Sequence, residues 1–383
     1  MSLSVAMIGC GGMAGAHLNG LIELHRHQVD FHLTALCDPI QERTTAFQQK
    51  ATAEMGMTPA VFTDYRRLLE STTPDAVLIA TDHRLHHVLA IPFLEAGCHV
   101  LTEKPIALTI RAGQAMVHAA ERSGVLLAVA EQYRRGEEQR GIKAALEDGA
   151  IGRPYMIFRQ GGGVGNGIFC GTPWRHMKAD VGGGPMLDNG VHDADLFLYW
   201  LGKVEEVTAV TATFERTRTG TTTSGKEETI HPTADDTGLA LVRFAGGALG
   251  QWSESWAMHG KSFGHTVIYG SEGSISDGTL TRDGEDVLDR DALIARYRPD
   301  ALFPMGITNS VTLEQLEFFE CIEKGGTPEI DGAVGLEAEA ICYAVYESNA
   351  AGGVPVKVQD VLSGKVNAYQ KELNDAIELE GVT

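Results

Sequence analysis

An aspartate and a histidine four positions apart mark the segment of this chain that is best suited to proton transfer. Asp188 and His192 follow three consecutive glycines at 182–184, and they share one face if the segment is helical. The apolar residues at 187, 191, 194, 198 and 201 recur with a helical period. Because histidine exchanges protons near neutral pH, the segment predicts a site for general acid–base chemistry.

A second polar segment, Glu103-Lys104-Pro105, ends a predicted strand upstream of the first. The Lys104 ammonium could hold a substrate hydroxyl and stabilise an alkoxide that develops there. On its own this tripeptide is more often ordinary surface. Its place at a strand end favours a functional role.

A glycine-rich turn links the first predicted strand to the first predicted helix. Gly9, Gly11, Gly12 and Met13 stand in the pattern G-x-G-x-x-A, which ends at Ala14. The glycines permit a tight turn and let the backbone approach a pyrophosphate at the helix N-terminus. A turn without a ligand is the alternative, and the place of the motif after the first strand disfavours it.

Asp38 ends the second predicted strand, where a carboxylate can accept hydrogen bonds from the adenosine ribose hydroxyls. Its negative charge repels a 2′-phosphate, so NAD is expected as cofactor in preference to NADP. Arg43, one turn later, leaves that preference open. The alternative role for Asp38 is to cap a helix that begins at Pro39, and the carboxylate could do both.

Two groups of residues could suggest a metal ion instead. Asp188, His192 and Asp195 have helical spacing, and three histidines lie together at 83, 86 and 87. No second His or Glu cluster completes a coordination shell around the first group, and the spacing of the three histidines within one turn does not converge on one point. We therefore predict no metal site, and the histidine segment is interpreted as a loop or helix N-terminus beside a cofactor.

The arrangement of apolar residues predicts two domains, 1–130 and 131–383, in a chain of 383 residues. Up to residue 130, apolar runs alternate with helix-length segments, which is typical of a parallel α/β sheet. The predicted strands of this part are 3–8, 31–37, 76–80, 99–102 and 125–130, and its predicted helices are 14–24, 39–53, 86–96 and 110–123. Beyond 150, successive strands predict a mostly antiparallel sheet in an α+β domain. These strands are 204–214, 238–244, 248–256 and 266–269, followed by helices at 313–324 and 334–351 that could pack back on the first domain. The segments 161–167 and 215–228 are interpreted as mobile loops.

Composition limits the class of partner. The 51 acidic and 31 basic residues give a net charge of −20, which opposes binding to nucleic acid or to an anionic membrane. The six cysteines form no C-x-x-C pair, as expected of a reduced cytoplasmic protein. Neither a secretory leader nor a membrane span is recognised in the sequence. A small molecule is therefore the expected partner.

Several motifs together resemble the glucose-fructose oxidoreductase, inositol dehydrogenase and MocA-type family over nearly the whole chain. They are the N-terminal glycine turn, Thr81…His86, Glu103-Lys104-Pro105, Gly149-Ala150-Ile151-Gly152, Gly182-Gly183-Gly184…Asp188…His192, Asp235-Asp236-Thr237 and Tyr346-Glu347-Ser348. The sequence departs from the family at Asp82 and His83, where Pro-Asn is usual. The resemblance implies an NAD(P)-binding Rossmann domain followed by a domain with a large open sheet, through which members often form dimers or tetramers.

The resemblance also implies an activity and a set of site residues. Members commonly oxidise or reduce a hydroxyl carbon of a sugar, inositol or related polyol. The implied catalytic set is Lys104, Asp188 and His192, the residues implied beside the cofactor are Thr81, His86 and Glu103, and the implied substrate contacts are Tyr133, Arg134 and Arg175. Two alternatives come from other relatives, namely an NAD-assisted glycosidase that works by transient oxidation and a catalytically inert dinucleotide-binding regulator.

Overall fold

A computed structural model describes residues 2–377, which form two compact units. The first unit contains residues 2–132 and 303–336, and the second contains residues 133–302 and 337–377. The division expected from the sequence, 1–130 and 131–383, therefore differs from the structure chiefly at 303–336.

The first unit begins as an alternation of strands and helices. Its strands are β1 (Leu3–Ile8), β2 (Phe31–Cys37), β3 (Ala60–Phe62), β4 (Ala76–Ile79), β5 (His99–Glu103) and β6 (Leu127–Ala130). Its first helices are α1 (Gly12–Arg26), α2 (Gln41–Met55), α3 (Tyr65–Ser71), α4 (His86–Glu95) and α5 (Ile110–Ser123). All strand pairs are parallel, and the order β3-β2-β1-β4-β5-β6 is that of a Rossmann fold. The predicted fold class of this part is confirmed.

Burial explains which elements of this sheet the sequence predicted. Strand β4 is buried along its whole length, and β1 is buried except at Ser4, so both appear as continuous apolar runs. Helix α5 has the predicted bounds because Thr109 caps it, its hydroxyl oxygen accepting from the Ala112 N–H at 3.2 Å. Strand β3 was missed because it has three residues, two of them exposed.

The second unit is built on a nine-stranded sheet. Its elements begin with α6 (Glu137–Glu147), β7 (Pro154–Val164), α7 (Lys178–Val181), α8 (Pro185–Asp188) and α9 (Gly190–Leu201). The strands that follow are β8 (Val204–Ala212), β9 (Arg218–Thr221), β10 (Glu227–Ile230), β11 (Thr237–Phe244), β12 (Leu249–Met258), β13 (Phe263–Gly270), β14 (Ser274–Ser276), β15 (Thr279–Arg282) and β16 (Glu285–Leu288). The strand order is β16-β15-β14-β13-β7-β12-β11-β8-β17, where β17 is Val356–Lys357. Only the β7–β12 pair in this sheet is parallel, so the mostly antiparallel sheet that we predicted is confirmed.

The remaining helices lie after this run of strands. They are α10 (Arg290–Tyr297), α11 (Ser310–Lys324), α12 (Gly332–Ala350), α13 (Val358–Leu362) and α14 (Lys371–Ala376). Helix α11 belongs to the first unit, where the Phe319 ring lies 5.7 Å from that of Phe31 on β2. Within residues 2–377 we find no helix whose length and apolarity would let it cross a membrane.

Two segments interpreted as mobile loops have regular structure instead. Residues 161–164 lie in β7, between β12 and β13, so the first interpretation is wrong there. A Cβ on Gly161 would lie 2.1 Å from Glu254 Oε1, so close packing, and not flexibility, requires this glycine. The segment 215–228 contains β9 and the start of β10, which pair as an antiparallel hairpin.

Candidate active site

The glycine turn of the first unit leaves room for an anion at the start of α1. Gly9 has φ = +92°, and a Cβ there would lie 2.1 Å from the Ala80 carbonyl oxygen, so the turn requires glycine. A Cβ on Gly11 or Gly12 would meet no atom within 4 Å. The N-terminus of this 15-residue helix, in which Met13 is the second residue, therefore fits a pyrophosphate.

Asp38 fastens the glycine turn to the end of β2. Its Oδ2 accepts from the Cys10 N–H and its Oδ1 from the Ile40 N–H, each at 2.9 Å. The helix begins at Gln41 and not at Pro39, so Asp38 closes a turn before α2 and does not cap it. Arg43 Nη1 lies 3.9 Å from the same carboxylate. Asp38 thus stands beside the anion site, at the carboxyl edge of the sheet.

His86 joins the ends of two adjacent strands at this edge. Its Nδ1 lies 2.8 Å from the Pro105 carbonyl oxygen and its Nε2 3.2 Å from the Thr81 carbonyl oxygen. Burial lowers the pKa of His86, because the imidazolium ion would lose its hydration. A neutral imidazole carries a single N–H, so His86 donates to one of these two carbonyl oxygens and lies beside the other.

A buried hydrogen-bond chain holds Glu103, and two of its members, His17 and Gln315, belong to no sequence motif. Gln315 on α11 donates from Nε2 to His17 Nδ1 and to the His17 carbonyl oxygen, both at 3.0 Å. His17 Nε2–H is then the donor to Glu103 Oε1 at 2.9 Å. Glu103 Oε2 accepts from the Lys104 backbone N–H at 3.1 Å.

The ionisation of Glu103 follows from these contacts. Burial by itself would raise the pKa of the Glu103 carboxyl, but the His17 hydrogen bond and the nearby Lys104 charge outweigh burial, and the pKa lies below its usual value. The chain therefore keeps a carboxylate oriented at the end of β5, directly before Lys104.

In the second unit, Arg175 holds Asp188. The Asp188 side chain is fully buried at the end of α8, and Arg175 Nη1 lies 2.6 Å from both of its carboxylate oxygens. The Arg175 guanidinium also lies 4.9 Å from the Trp174 ring centroid. Arg175, expected as a substrate contact, is thus a direct partner of the predicted catalytic carboxylate.

His192 lies in the first turn of α9, and the Tyr133 ring is stacked on its imidazole. The ring centroids are 3.8 Å apart and the planes differ by 5°. Asn189 separates α8 from α9, so Asp188 and His192 lie on two short helices and not on the single helix that we predicted. The backbone at Asn189 keeps right-handed helical angles, so the chain continues to turn in the helical sense between Asp188 and His192.

Arg134 fixes the short turn that carries Tyr133. Its Nε donates to Asp195 Oδ2 at 2.7 Å, and its Nη2 contacts the other oxygen of the same carboxylate. Arg134 was expected to contact substrate, but its side chain is buried in this ion pair on α9. The pair joins the turn at 133–135 to the helix of His192.

Sequence patterns did not reveal the polar cluster around Asp193 on α9. Asp193 accepts from Arg159 Nε at 2.7 Å and from Trp252 Nε1 at 2.9 Å. Burial and the Asp193 charge raise the pKa of Glu254 well above its usual range, so its carboxyl is protonated at neutral pH. The partners come from separate strands, and only the Asp193 position next to His192 hinted at them.

Arg218 and His176 hold the loop that follows β7. The buried Arg218 donates from Nη1 to the carbonyl oxygens of Gly165 and Gly167, at 2.8 and 2.9 Å. Burial, with the Arg218 charge, lowers the pKa of His176 to about 4, and His176 Nε2 accepts from the Phe169 N–H at 2.9 Å. The loop before Arg175 is therefore fixed by buried polar contacts.

The two aspartates of the potential metal group bind arginines, Asp188 with Arg175 and Asp195 with Arg134. In the part of the chain that the structure describes, no three His, Cys, Asp or Glu residues are grouped so as to hold a metal ion.

The structure thus gathers the expected site residues into one group in each unit. At the carboxyl edge of the first sheet lie Gly9, Gly11, Gly12, Met13, Asp38, Thr81, His86, Glu103 and Lys104. Around the start of α9 in the second unit lie Tyr133, Arg134, Asp188 and His192, with Arg175 bound to Asp188. The first group fits a dinucleotide, and the second offers an imidazole and an oriented carboxylate.

Comparisons with known proteins agree with a dinucleotide site in the first unit. The model of an oxidoreductase family with an NAD-binding Rossmann fold matches residues 3–131, and the C-terminal domain model of the same Gfo/Idh/MocA family matches residues 140–276. Levoglucosan dehydrogenase from Pseudarthrobacter phenanthrenivorans is 28% identical over 91% of this chain and 96% of its own length. Myo-inositol 2-dehydrogenase from Thermotoga maritima is 26% identical over 90% of this chain and 96% of its own length.

A solved structure extends the likeness to three dimensions. Levoglucosan dehydrogenase in complex with NADH and L-sorbose superposes with a TM-score of 0.76 at 25% identity, covering 94% of this chain and all of that chain (100%). The fold, the glycine turn that leaves room for a pyrophosphate, and both family matches lead to the same assignment. The chain belongs to the Gfo/Idh/MocA oxidoreductase family, and its first domain is the NAD-binding Rossmann fold of that family.

Proposed function

We propose that this protein transfers a hydride between NAD and a secondary hydroxyl or ketone carbon of a sugar, inositol or related polyol. The observation that carries the proposal is the stacked His192 imidazole, which lies close in sequence to the buried, arginine-held Asp188. An imidazole held in this way is suited to act as a general base at neutral pH. The sugar and inositol dehydrogenases among the relatives support the substrate class.

In the proposed oxidation, His192 takes the proton of the substrate hydroxyl. Bound NAD⁺ supplies the acceptor for the hydride that leaves the same carbon. Lys104 donates a hydrogen bond to the oxygen, on which negative charge develops as the proton leaves. Asp188 stabilises the positive charge that His192 gains. In the reverse reaction, His192 returns the proton to the ketone oxygen.

Asp38 underlies our proposal that NAD is preferred to NADP. Its buried carboxylate stands at the end of β2, where the Rossmann fold places the adenosine ribose. A 2′-phosphate beside this carboxylate would be repelled. Arg43 is a half-exposed counter-charge at 3.9 Å and only partly offsets the repulsion.

We further propose that the protein is a homodimer or homotetramer. One face of the nine-stranded sheet exposes apolar side chains where β8 and β11 pair, namely Val210, Leu239 and Leu241, each more than half exposed. Exposed apolar patches of this kind support association between protein chains.

The activity is tested with purified protein and NAD⁺ or, separately, NADP⁺ against sugars, anhydrosugars, inositols and glycosides. Reduced nicotinamide and released sugar are measured together, because sugar release without net reduction would indicate a glycosidase. The variant His192→Ala should lower kcat by about 10²–10⁴ and leave the Kd for NADH unchanged. His118→Ala, an exposed histidine on α5, is the control. Full activity of His192→Ala would contradict the proposal.

A further inference from the structure

A cavity of about 250 Å³ lies in the second unit, and of the side chains described above its lining includes Tyr133 and Arg159. Its walls come from α6, α9, β7, β13 and the turn between β14 and β15. The lining includes Tyr133, Arg159, Trp200, Gly264, Thr266 and Asp277. The volume is slightly below that of most small-molecule pockets, about 300–1,000 Å³, so the cavity suits a group of the size of a single ring.

Tyr133 connects this cavity with the proposed site of proton transfer. Its ring stacks on His192 at 3.8 Å, and the same side chain lines the cavity. The side chain is 44% exposed, although the Arg134–Asp195 pair holds the adjoining backbone. A ligand in the cavity would therefore lie one aromatic ring away from the imidazole.

The charged groups of the cavity wall are paired with one another or with close neighbours. Arg159 binds Asp193 at 2.7 Å, and Asp277 binds His265 at 2.7 Å. Glu138 binds Arg290 at 2.6 Å. Arg159 is thus neutralised by Asp193, and Glu138 and Asp277 add two carboxylates to the wall. Such a wall disfavours a phosphate or a carboxylate ligand.

The uncharged groups of the wall suit a neutral molecule with hydroxyl groups. Trp200 is the aromatic indole residue of the lining, and the Thr266 hydroxyl accepts from Arg159 Nη1 at 2.8 Å and retains its own proton to donate. Gln139, whose carboxamide can both donate and accept, also belongs to the lining. Flat aromatic surface beside short polar groups is the combination that small-molecule pockets use to orient a ligand.

We propose that this cavity binds a second, uncharged sugar or polyol ring, attached to the ring that is oxidised at His192. This inference rests on the proposed function and deepens it, since it makes a neutral two-ring glycoside the substrate class. Free monosaccharides would leave the cavity empty. Nucleotide sugars would place phosphate groups against paired charges and two carboxylates.

Gly264 allows the cavity to be filled without touching the imidazole. Along β13, Gly264 shares one face with Thr266 and Ile268, which also line the cavity. A Cβ on Gly264 would meet no atom within 4 Å. The variant Gly264→Phe should occupy the space of the second ring. Gly246→Phe is the matched control, because Gly246 is equally open and lies in the turn between β11 and β12, outside the cavity lining.

The experiment compares matched ligands on the full-length protein loaded with NADH. Titration calorimetry gives Kd for glucose against maltose, cellobiose and trehalose, and for myo-inositol against galactinol. Initial rates with NAD⁺ are measured on the same pairs. We expect at least one two-ring ligand to bind at least tenfold more tightly than its one-ring partner, and Gly264→Phe, but not Gly246→Phe, to remove that gain.

The possible outcomes separate this inference from the proposed function. If no pair shows a gain, or if Gly264→Phe leaves the gain intact, the subsite is refuted even when NAD⁺ is reduced. If the gain is present and is lost in Gly264→Phe, the subsite is supported. If no ligand then reduces NAD⁺, it is the proposed function that fails.

Discussion

At the scale of single residues, Glu103 is a buried carboxylate whose ionisation is favoured by its hydrogen bond with His17. His17 donates to Glu103 at 2.9 Å, and Gln315 fixes the tautomer that makes this possible. Neither His17 nor Gln315 belongs to a sequence motif. The carboxylate in turn accepts from the Lys104 backbone N–H, so His17 acts on the position of the predicted catalytic lysine.

We predict that His17→Leu destabilises the protein by about 1.5–3 kcal/mol at pH 7, because a buried carboxylate loses its charge-assisted hydrogen bond. Without the His17 hydrogen bond, the Lys104 charge opposes burial less effectively, so the pKa of Glu103 should rise from its lowered value. The parent protein gains stability from the lowered carboxyl pKa as pH rises, and the variant loses part of this gain, so the deficit should be larger at pH 7 than at pH 4. Urea unfolding at both values measures it. His17→Gln, whose amide can still donate, should recover part of the loss, and equal deficits at the two pH values would contradict this explanation.

At the scale of elements, the ion pair of Arg134 and Asp195 joins the turn of Tyr133 to helix α9. Both side chains are less than one-tenth exposed. Removing one member of such a pair leaves the other charge buried without compensation. The stacking of the Tyr133 and His192 rings therefore depends on the ion pair between Arg134 and Asp195.

We predict that Asp195→Asn lowers the free energy of unfolding by about 3–5 kcal/mol. The double variant Arg134→Met with Asp195→Leu should recover most of this loss, since it removes both buried charges together. The exposed pair Lys371–Asp375 provides a control, because Asp375→Asn should change stability by less than about 0.5 kcal/mol. Chemical unfolding of the four proteins decides the matter, and a loss below about 1 kcal/mol for Asp195→Asn would show that the pair is not needed.

The protonated Glu254 beneath α9 gives a second prediction at this scale. The pKa of Glu254 is higher in the folded protein than in the unfolded chain. As pH rises, the unfolded chain therefore loses this proton first, and the folded state becomes less stable relative to the unfolded state. Glu254→Gln should remove this dependence, and its stability relative to the parent protein should increase between about pH 5 and pH 8, by at most about 1.4 kcal/mol per pH unit. Urea unfolding across this range is the measurement. The exposed Glu272→Gln should show no such trend, and a flat difference for Glu254→Gln would contradict the raised pKa.

Elements were predicted well where a local signal defines them. Helix α5 has its capping threonine and a following glycine with φ = +67°, and β1 is an apolar run with a glycine turn after it. The segment 161–164 was misassigned because the neighbours that require its glycines, such as the Glu254 side chain beside Gly161, are distant in sequence. Local patterns do not contain such long-range packing constraints.

At the scale of the whole molecule, the candidate site also combines residues that local patterns place with partners that only long-range contacts provide. Strand ends in a parallel sheet meet at one edge, so Asp38, Thr81 and Lys104 could be placed together from the order of elements alone. The partners that hold the site residues, such as Arg175 for Asp188 and Tyr133 for His192, come from loops whose path depends on the folded chain. The return of residues 303–336 to the first unit is a further long-range feature of this kind.

The open face of the nine-stranded sheet carries the last prediction. Leu239 and Leu241 are 53% and 63% exposed, and Leu239 lies opposite Val210 on the neighbouring strand. Two lysines in a buried interface would each lose hydration without a partner. Replacing both leucines by lysine should therefore weaken self-association at least about 30-fold, which corresponds to about 2 kcal/mol, the loss typical of an interface hot spot. Analytical ultracentrifugation measures it, with Val61→Lys on the edge strand of the first sheet as control. A parent protein that sediments as a monomer, or a double variant that stays assembled, would rule out this face as the interface.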